Sequence, residues 1–450
     1  MNATNLRTIQ GPLPTRRGFR VFQCCFAAFV TVVCSPWVQG QSVDSTGPVV
    51  RSVVIRGNSV TQPRVIFREM ALRPGIPVTP EAVEHDKERI YNLQIFNRVD
   101  IEVQEFGDSA DVHVAVDERW YVYPFPVLGL RNRDPKKIFY GIGVTHQNLA
   151  GLNQKLFFEA ATGYDQWVQL SYRNPRFLGE EDVYFEGQVN YAHLHPLSQD
   201  GAEFQQVQSV QKISLGKRFG YYRTLVGTIG TEYWEAPNGP AQRIASSSGH
   251  DYFITSLLWF IDDQRDVREY AMEGSFLSLW IAKDGFGESA MNITRVGADL
   301  RKYLPIAGDW SVAGRFYTRL TTGGVVPSYR HIFLGYDERI RGSFLTVREG
   351  EHQFGGNMEL RIPLLSPRYY ESSFIPVRQF AVLRYGLYGA IFIDAGKVFY
   401  RNRSFIDAPL YVGAGAGLHW ILPYGIIVRT EAGVDFQGRE ELILDFGASF

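Results

Sequence analysis

Cysteine is scarce in this 450-residue chain: there are three, Cys24, Cys25 and Cys34, all inside one N-terminal segment. Net charge is scarcer still, with 46 Lys+Arg against 47 Asp+Glu. A near-neutral balance argues against a basic nucleic-acid binder. A 45% hydrophobic content argues against disorder. There is no Gly triplet repeat and no sustained heptad, which excludes collagen and coiled coil. The nine histidines show no H-E-x-x-H spacing. Gly107-Asp108-Ser109-Ala110-Asp111 lacks the last glycine of a nucleophile elbow. Gly413-Ala414-Gly415-Ala416-Gly417 is followed by no helical pattern, so it does not read as a dinucleotide loop. Enzyme activity, cofactors and a metal site are therefore not expected. What the chain does hold in quantity is Gly (44), Phe (31) and Tyr (24). Outer-membrane β-barrels combine these three, for smooth wall positions and aromatic girdles.

The first forty residues carry Arg7, Arg16, Arg17 and Arg20 and no acid. An apolar run from Val21 to Val33 follows, and small residues lead to Gly40. Basic flank, short apolar run and small exit describe a secretory signal peptide over residues 1–40. The run falls short of the ~20 residues of a spanning helix. Removing it would leave no cysteine and a charge of 42 − 47 = −5, which excludes disulfides and thiolate chemistry. Residues 41–49 read as a short leader.

Residues 50–118 read as a small β-α-α-β-β domain. Val50 to Arg56 alternates and stops at Gly57-Asn58. Pro63 opens a helix carrying Val65, Ile66, Phe67, Met70 and Leu72, ended by Arg73-Pro74-Gly75. A second helix follows Thr79-Pro80, with Ile90, Leu93 and Ile95 on its buried side. Two alternating strands flank Gly107-Asp108. Free strand edges suit capture of extended peptide by β-addition.

From Trp120 the helical period gives way to alternating segments of about ten residues. Sixteen are counted to Phe450, eleven before a long loop near 321–354 and five after it. Ala408–Val428 is uncharged, yet Pro423-Tyr424-Gly425 and the alternate glycines divide it into two strands. The fold expected is mainly β, a sixteen-stranded antiparallel transmembrane barrel over residues 119–450 behind the small domain.

Several motifs resemble the BamA/TamA superfamily of outer-membrane assembly and translocation proteins. Tyr336 to Phe344, with Arg341, Gly342 and Phe344, is similar to the family's R-G loop that folds back into the barrel. Glu359-Leu360-Arg361 resembles the strand after that loop. Phe392-Ile393-Asp394-Ala395-Gly396 resembles the F-x-D-x-G motif on the wall. Leu442, Leu444, Phe446 and Phe450 resemble the C-terminal barrel signal and fall on one lipid-like face. The resemblance implies that residues 50–118 are a single POTRA domain of the bacterial surface antigen type and that Arg341 pairs with Asp394. Such a pairing also makes physical sense, because a desolvated arginine needs a compensating charge. Pro124 and Pro126 lie two apart in the first barrel strand, so both missing N–H groups face the same neighbour. If that neighbour is the last strand, the seam is weakened.

The function implied is assembly or insertion at the outer membrane of a Gram-negative-type bacterium, with the POTRA-like domain in the periplasm. It would receive unfolded outer-membrane or secreted polypeptides and pass them through the barrel seam. Accessory periplasmic lipoproteins and membrane lipids are the other expected partners, and nucleic acid is not. The alternatives are a translocation pore for one secreted partner and a passive channel. A loop in the lumen argues against an open porin.

Overall fold

The computed structural model describes residues 47–131, 134–179, 182–195, 204–237, 243–288, 290–335, 338–343 and 346–450. The expected signal peptide, most of the leader, Tyr336, Asp337 and Phe344 lie outside the described residues.

The N-terminal domain is built from β1 (Val49–Arg56), α1 (Pro63–Phe67), α2 (Pro80–Tyr91), β2 (Phe96–Phe106) and β3 (Ser109–Glu118). The sheet order is β1-β3-β2, with β1 parallel and β2 antiparallel to the central β3. Pro80 opens α2, and the Thr79 hydroxyl accepts from the Ala82 N–H at 3.2 Å. The first helix stops at Phe67, short of the expected Leu72. The cause is Asp86 of α2, whose carboxylate accepts from the Ala71 and Leu72 N–H groups at 2.8 and 2.9 Å. Those amides are thereby held away from the helical ladder, while Met70 and Leu72 stay buried. They pack with Val50, Ile66, Ile90, Ile95, Phe96 and Val112 in one apolar core.

Sixteen antiparallel strands form the second sheet, each paired with its neighbours in sequence order. Its first half is β4 (Val122–Leu130), β5 (Ile138–Leu149), β6 (Gln154–Gly163), β7 (Gln166–Asn174), β8 (Val183–Leu194), β9 (Gln206–Phe219), β10 (Arg223–Glu235) and β11 (His250–Asp263). Then come β12 (Gly274–Phe286), β13 (Ile293–Pro305) and β14 (Ser311–Gly323). A long loop carries the short hairpin β15 (Ile332–Leu334) and β16 (Arg348–Gly350). The last five strands are β17 (His352–Glu371), β18 (Val382–Phe399), β19 (Tyr411–Leu422), β20 (Ile426–Asp435) and β21 (Glu440–Phe446). Eleven strands thus precede the loop and five follow it. Pro423–Gly425 divides the uncharged stretch into β19 and β20.

Side chains alternate across this wall. On β20, Ile427, Arg429, Glu431, Gly433 and Asp435 are buried, and the residues between them are not. The sheet curls on itself: Tyr270, in the β11–β12 turn, reaches His419 on β19, and Tyr303 on β13 reaches the C-terminal Phe450. No helix among the described residues is long and apolar enough to cross a membrane.

The N-terminal domain sits against the turns at one rim of this sheet. Gln62 bonds to Gly151 and Ala150. Arg68 donates to the Pro175 carbonyl. Arg218 makes a bidentate pair with Glu69 at 2.6 and 2.7 Å, and Tyr221 donates to the Met70 carbonyl. Asn92 holds Asp266 and Arg268, Asn97 donates to Gln379, and Arg119 reaches Tyr424 at 3.5 Å. Among the described residues, only the β13–β14 turn of the seven on this rim receives none of these bonds. Glu118, at the junction, accepts from Ser59, Val60 and Thr61. Burial pushes its carboxyl pKa up, but these hydrogen bonds outweigh burial and hold it below the usual carboxylate value.

Candidate functional site: an arginine-centred lock and an open seam

The long loop between β14 and β17 enters the curled sheet and lays Arg341 against its wall. Its guanidinium makes a two-pronged pair with Asp394 on β18, at 2.7 Å from Nε and 2.8 Å from Nη2. The Arg341 backbone N–H also donates to Asp394, at 3.1 Å. Nη1 donates to Glu359 on β17 at 2.6 Å and to Glu431 on β20 at 2.9 Å. The Phe392 ring lies beneath the guanidinium at 3.7 Å. All these groups are buried. Three carboxylates around one arginine would be uncompensated alone, and Arg361 and Arg429 supply the balance. Arg361 donates to Glu359 at 2.8 Å, and Arg429 donates to Glu431 at 2.9 Å. Glu359, His419 and Glu431 are close enough to share a metal ion. Their carboxylates already accept from three arginines, so guanidinium is the cation of this centre.

Register explains why these residues meet. Asp394 faces Asn357 on β17 and Gly413 on β19, and Glu359 faces Phe392. Gly342 takes φ +91°, and a Cβ there would stand 2.7 Å from the Val434 backbone. A Cβ on Gly413 would lie 1.8 Å from the Arg341 carbonyl oxygen. The loop therefore lies directly on the wall at positions where only glycine fits. Gly396 leaves room for Ile340, whose Cδ1 would be 3.1 Å from an added Cβ. Two further arginine centres hold the loop upstream. Arg330 pairs with Glu232 at 2.6 Å, and Arg315 of β14 pairs with Glu338 at 2.8 Å.

Of the motif residues, Arg341, Gly342, Glu359, Arg361, Phe392, Asp394 and Gly396 converge here. The sequence reading missed Glu431, His419 and Arg429. Their signal was the buried alternation of β20 and the His419 position beside the glycine-rich stretch of β19. The C-terminal reading needs one correction. Leu442, Leu444 and Phe446 face outward and are exposed, but Phe450 is 7% exposed and does not share their face. Gly447 takes φ +88° and turns the chain inward. Ser449 then donates to Glu359 at 2.6 Å, and the Phe450 carbonyl accepts from Tyr303 at 3.0 Å. The tail joins the interior network instead of an interfacial aromatic belt.

At the ends of the sheet, β4 and β21 share no backbone ladder among the described residues. Tyr121 accepts from Gln147 and Arg131 donates to Lys137, so odd-numbered residues of this stretch aim their backbone groups at β5. Pro124 and Pro126 are even-numbered, and their missing N–H groups lie along the open edge. The two end strands are also short, nine and seven residues, against 20 for β17. Seven residues rise roughly 23 Å along a strand, less than a hydrocarbon core of about 30 Å.

Fold and site together define a periplasmic domain mounted on a sixteen-stranded outer-membrane barrel whose interior loop is anchored by arginine. Residues 148–432 match the Omp85 superfamily domain. Residues 48–119 match the POTRA family described as a surface antigen variable number repeat. A stretch of 75 residues is 29% identical to the outer membrane protein assembly factor BamA of Nitratidesulfovibrio vulgaris, covering 17% of this chain and 10% of that protein. The aligned part is thus about a tenth of that relative's length. The crystal structure of BamA from Haemophilus ducreyi lacking POTRA domains 1–3 superposes with a TM-score of 0.53 at 16% identity, over 89% of this chain and 84% of that one. CdiB from Escherichia coli gives 0.57 at 12% identity, over 90% and 76%. The chain belongs to the Omp85 superfamily. It is an outer-membrane protein of the Gram-negative type with a POTRA domain in the periplasm.

Proposed function

We propose that this chain inserts or translocates unfolded polypeptide at the outer membrane through the seam between β4 and β21. The observation that carries this reading is the seam itself: two short end strands without a shared ladder among the described residues, one of them with two prolines on its open edge. An incoming strand can pair with such an edge at little cost, because few backbone bonds have to be broken first. A short wall there also thins the adjoining bilayer, which lowers the barrier to insertion. The outer edge of β2 in the POTRA domain has no strand partner among the described residues and offers β-addition to extended substrate. Accessory periplasmic lipoproteins and membrane lipids complete the expected partners, and no bond-making chemistry is required of the protein.

Depletion followed by quantitative proteomics of the outer-membrane fraction tests the reading. A broad fall in barrel proteins supports general insertion. Loss of one exported protein restricts the role to a dedicated transporter. An unchanged membrane proteome and secretome overturns it. Steady high conductance in planar bilayers would also count against it, since the loop and the POTRA domain occupy the path a passive channel needs.

A further inference from the structure

The β11–β12 turn, residues 264–273, is a strap that enters the barrel interior from the periplasmic rim. It is closed on itself: the Asp266 carboxylate accepts from the Met272 N–H at 3.1 Å, and the Asp266 N–H donates to the Glu273 carbonyl. Ser311 ties it to the wall by donating to the Met272 carbonyl at 2.6 Å. Two consecutive residues at its tip look in different directions. Glu269 faces the POTRA domain. Its carboxylate accepts from the Tyr91 hydroxyl at 3.0 Å and from Arg119 at 2.9 Å, with Arg384 of β18 alongside at 3.3 Å.

Tyr270 faces the lock. Its hydroxyl is 2.8 Å from His419 Nδ1, and His419 Nε2 is 3.1 Å from Glu431. Glu431 can only accept, so His419 donates from Nε2 and leaves Nδ1 to accept from Tyr270. The same Glu431 oxygen accepts from Arg341. A second route runs beside the first. Arg361 lies 4.3 Å over the Tyr270 ring, donates to the Ala271 carbonyl, and shares Glu359 with Arg341.

We infer that this strap couples seating of the POTRA domain to retention of the lumenal loop, with Glu269 and Tyr270 as positioning residues that act on Arg341 through His419–Glu431 and Arg361–Glu359. The strap moves as one unit because its ends are bonded together. Withdrawal of Tyr91 and Arg119 leaves Glu269 with Arg384 alone, and any shift it makes carries Tyr270 with it. Arg341 then loses the ordered state of two of its three carboxylates. Engagement of substrate by the POTRA domain would reach the loop by this path, without touching it.

The test uses the purified full chain with Ser343→Cys in the loop and any retained native cysteine replaced by serine. Ser343 is buried, so maleimide labelling of the folded protein reports loop release. Tyr91→Phe and Tyr270→Phe each remove one hydroxyl and keep the ring, and heat-modifiable mobility checks folding. Tyr91→Phe should raise the labelling rate about threefold to tenfold, the scale of one typical net hydrogen-bond contribution. Its increment should shrink without vanishing in the Tyr270→Phe background, because the His419 route needs that hydroxyl while the Arg361 route keeps the ring and the Ala271 carbonyl. Glu69→Gln, which loosens POTRA seating at the β9–β10 turn instead, should leave labelling near the parent rate. Equal increments in both backgrounds, no increment for Tyr91→Phe, or an equal effect of Glu69→Gln would each overturn the coupling. No substrate is present, so a failure here leaves the insertion reading standing, and the reverse also holds.

Discussion

The POTRA domain and the barrel interior solve the same problem with opposite chemistry. The domain buries Ile66, Met70, Leu72, Ile90, Ile95 and Phe96 against one another. The barrel interior buries Arg341, Arg361 and Arg429 against Glu359, Asp394 and Glu431. Apolar packing is nondirectional and stabilises in proportion to area. A buried ion-pair cluster adds little net stability over apolar filling, but it holds one geometry and becomes unstable as soon as one member leaves. The small domain is thus built to stay folded, and the loop anchor is built to be either in place or released.

Removing Arg341 should break that contrast most sharply. Arg341→Ala strands Asp394 and takes one partner each from Glu359 and Glu431, which keep Arg361 and Arg429, at a cost of about 3–5 kcal/mol. Melting of the heat-modifiable form in detergent should drop well below the parent, with loop release visible by proteolysis near residue 341. Next in size is Ile90→Ala, expected to cost about 2–5 kcal/mol through lost burial and a cavity. Hydrogen exchange should accelerate in β2 and β3 and stay unchanged in β17 to β20. A smaller effect is expected at the seam. Pro124→Ala with Pro126→Ala restores two donors along the open edge, each worth about 1 kcal/mol if β21 accepts them. Cysteine crosslinks between β4 and β21 should then form more fully and insertion should slow.

The smallest effect concerns pH. The Glu118 carboxyl is held below its ordinary value in the folded protein. Its contribution is therefore present above the unfolded pKa of about 4.3 and is lost as pH falls through the lower folded value. Glu118→Gln should lower the POTRA unfolding temperature at neutral pH, and the gap to the parent should close in acid.

Much of this contrast was legible before any coordinates. Strict alternation gives strand count, because a wall between lipid and lumen forces it, and the eleven-plus-five division about the loop followed directly. The Arg341–Asp394 pair was legible through motif order. Glu431 and His419 were not, because a period of two tells which side a residue faces and not which distant residue it meets there. Tyr270 was hidden for a related reason: it sits in a turn, and nothing local says that the turn crosses the lumen. Phe450 was misplaced because alternation was extended past Gly447, where a positive φ ends the strand. The early end of α1 was hidden because the competing partner, Asp86, lies on another element.

The ring of contacts around the rim has a kinematic consequence. A rigid body has six degrees of freedom, and the POTRA domain is tethered at six turns spread around a ring. Such a body cannot rock about a single hinge without straining several tethers at once. It either lifts away as a unit or bends the ring beneath it, so a pull applied to the domain arrives at the barrel as a change of outline.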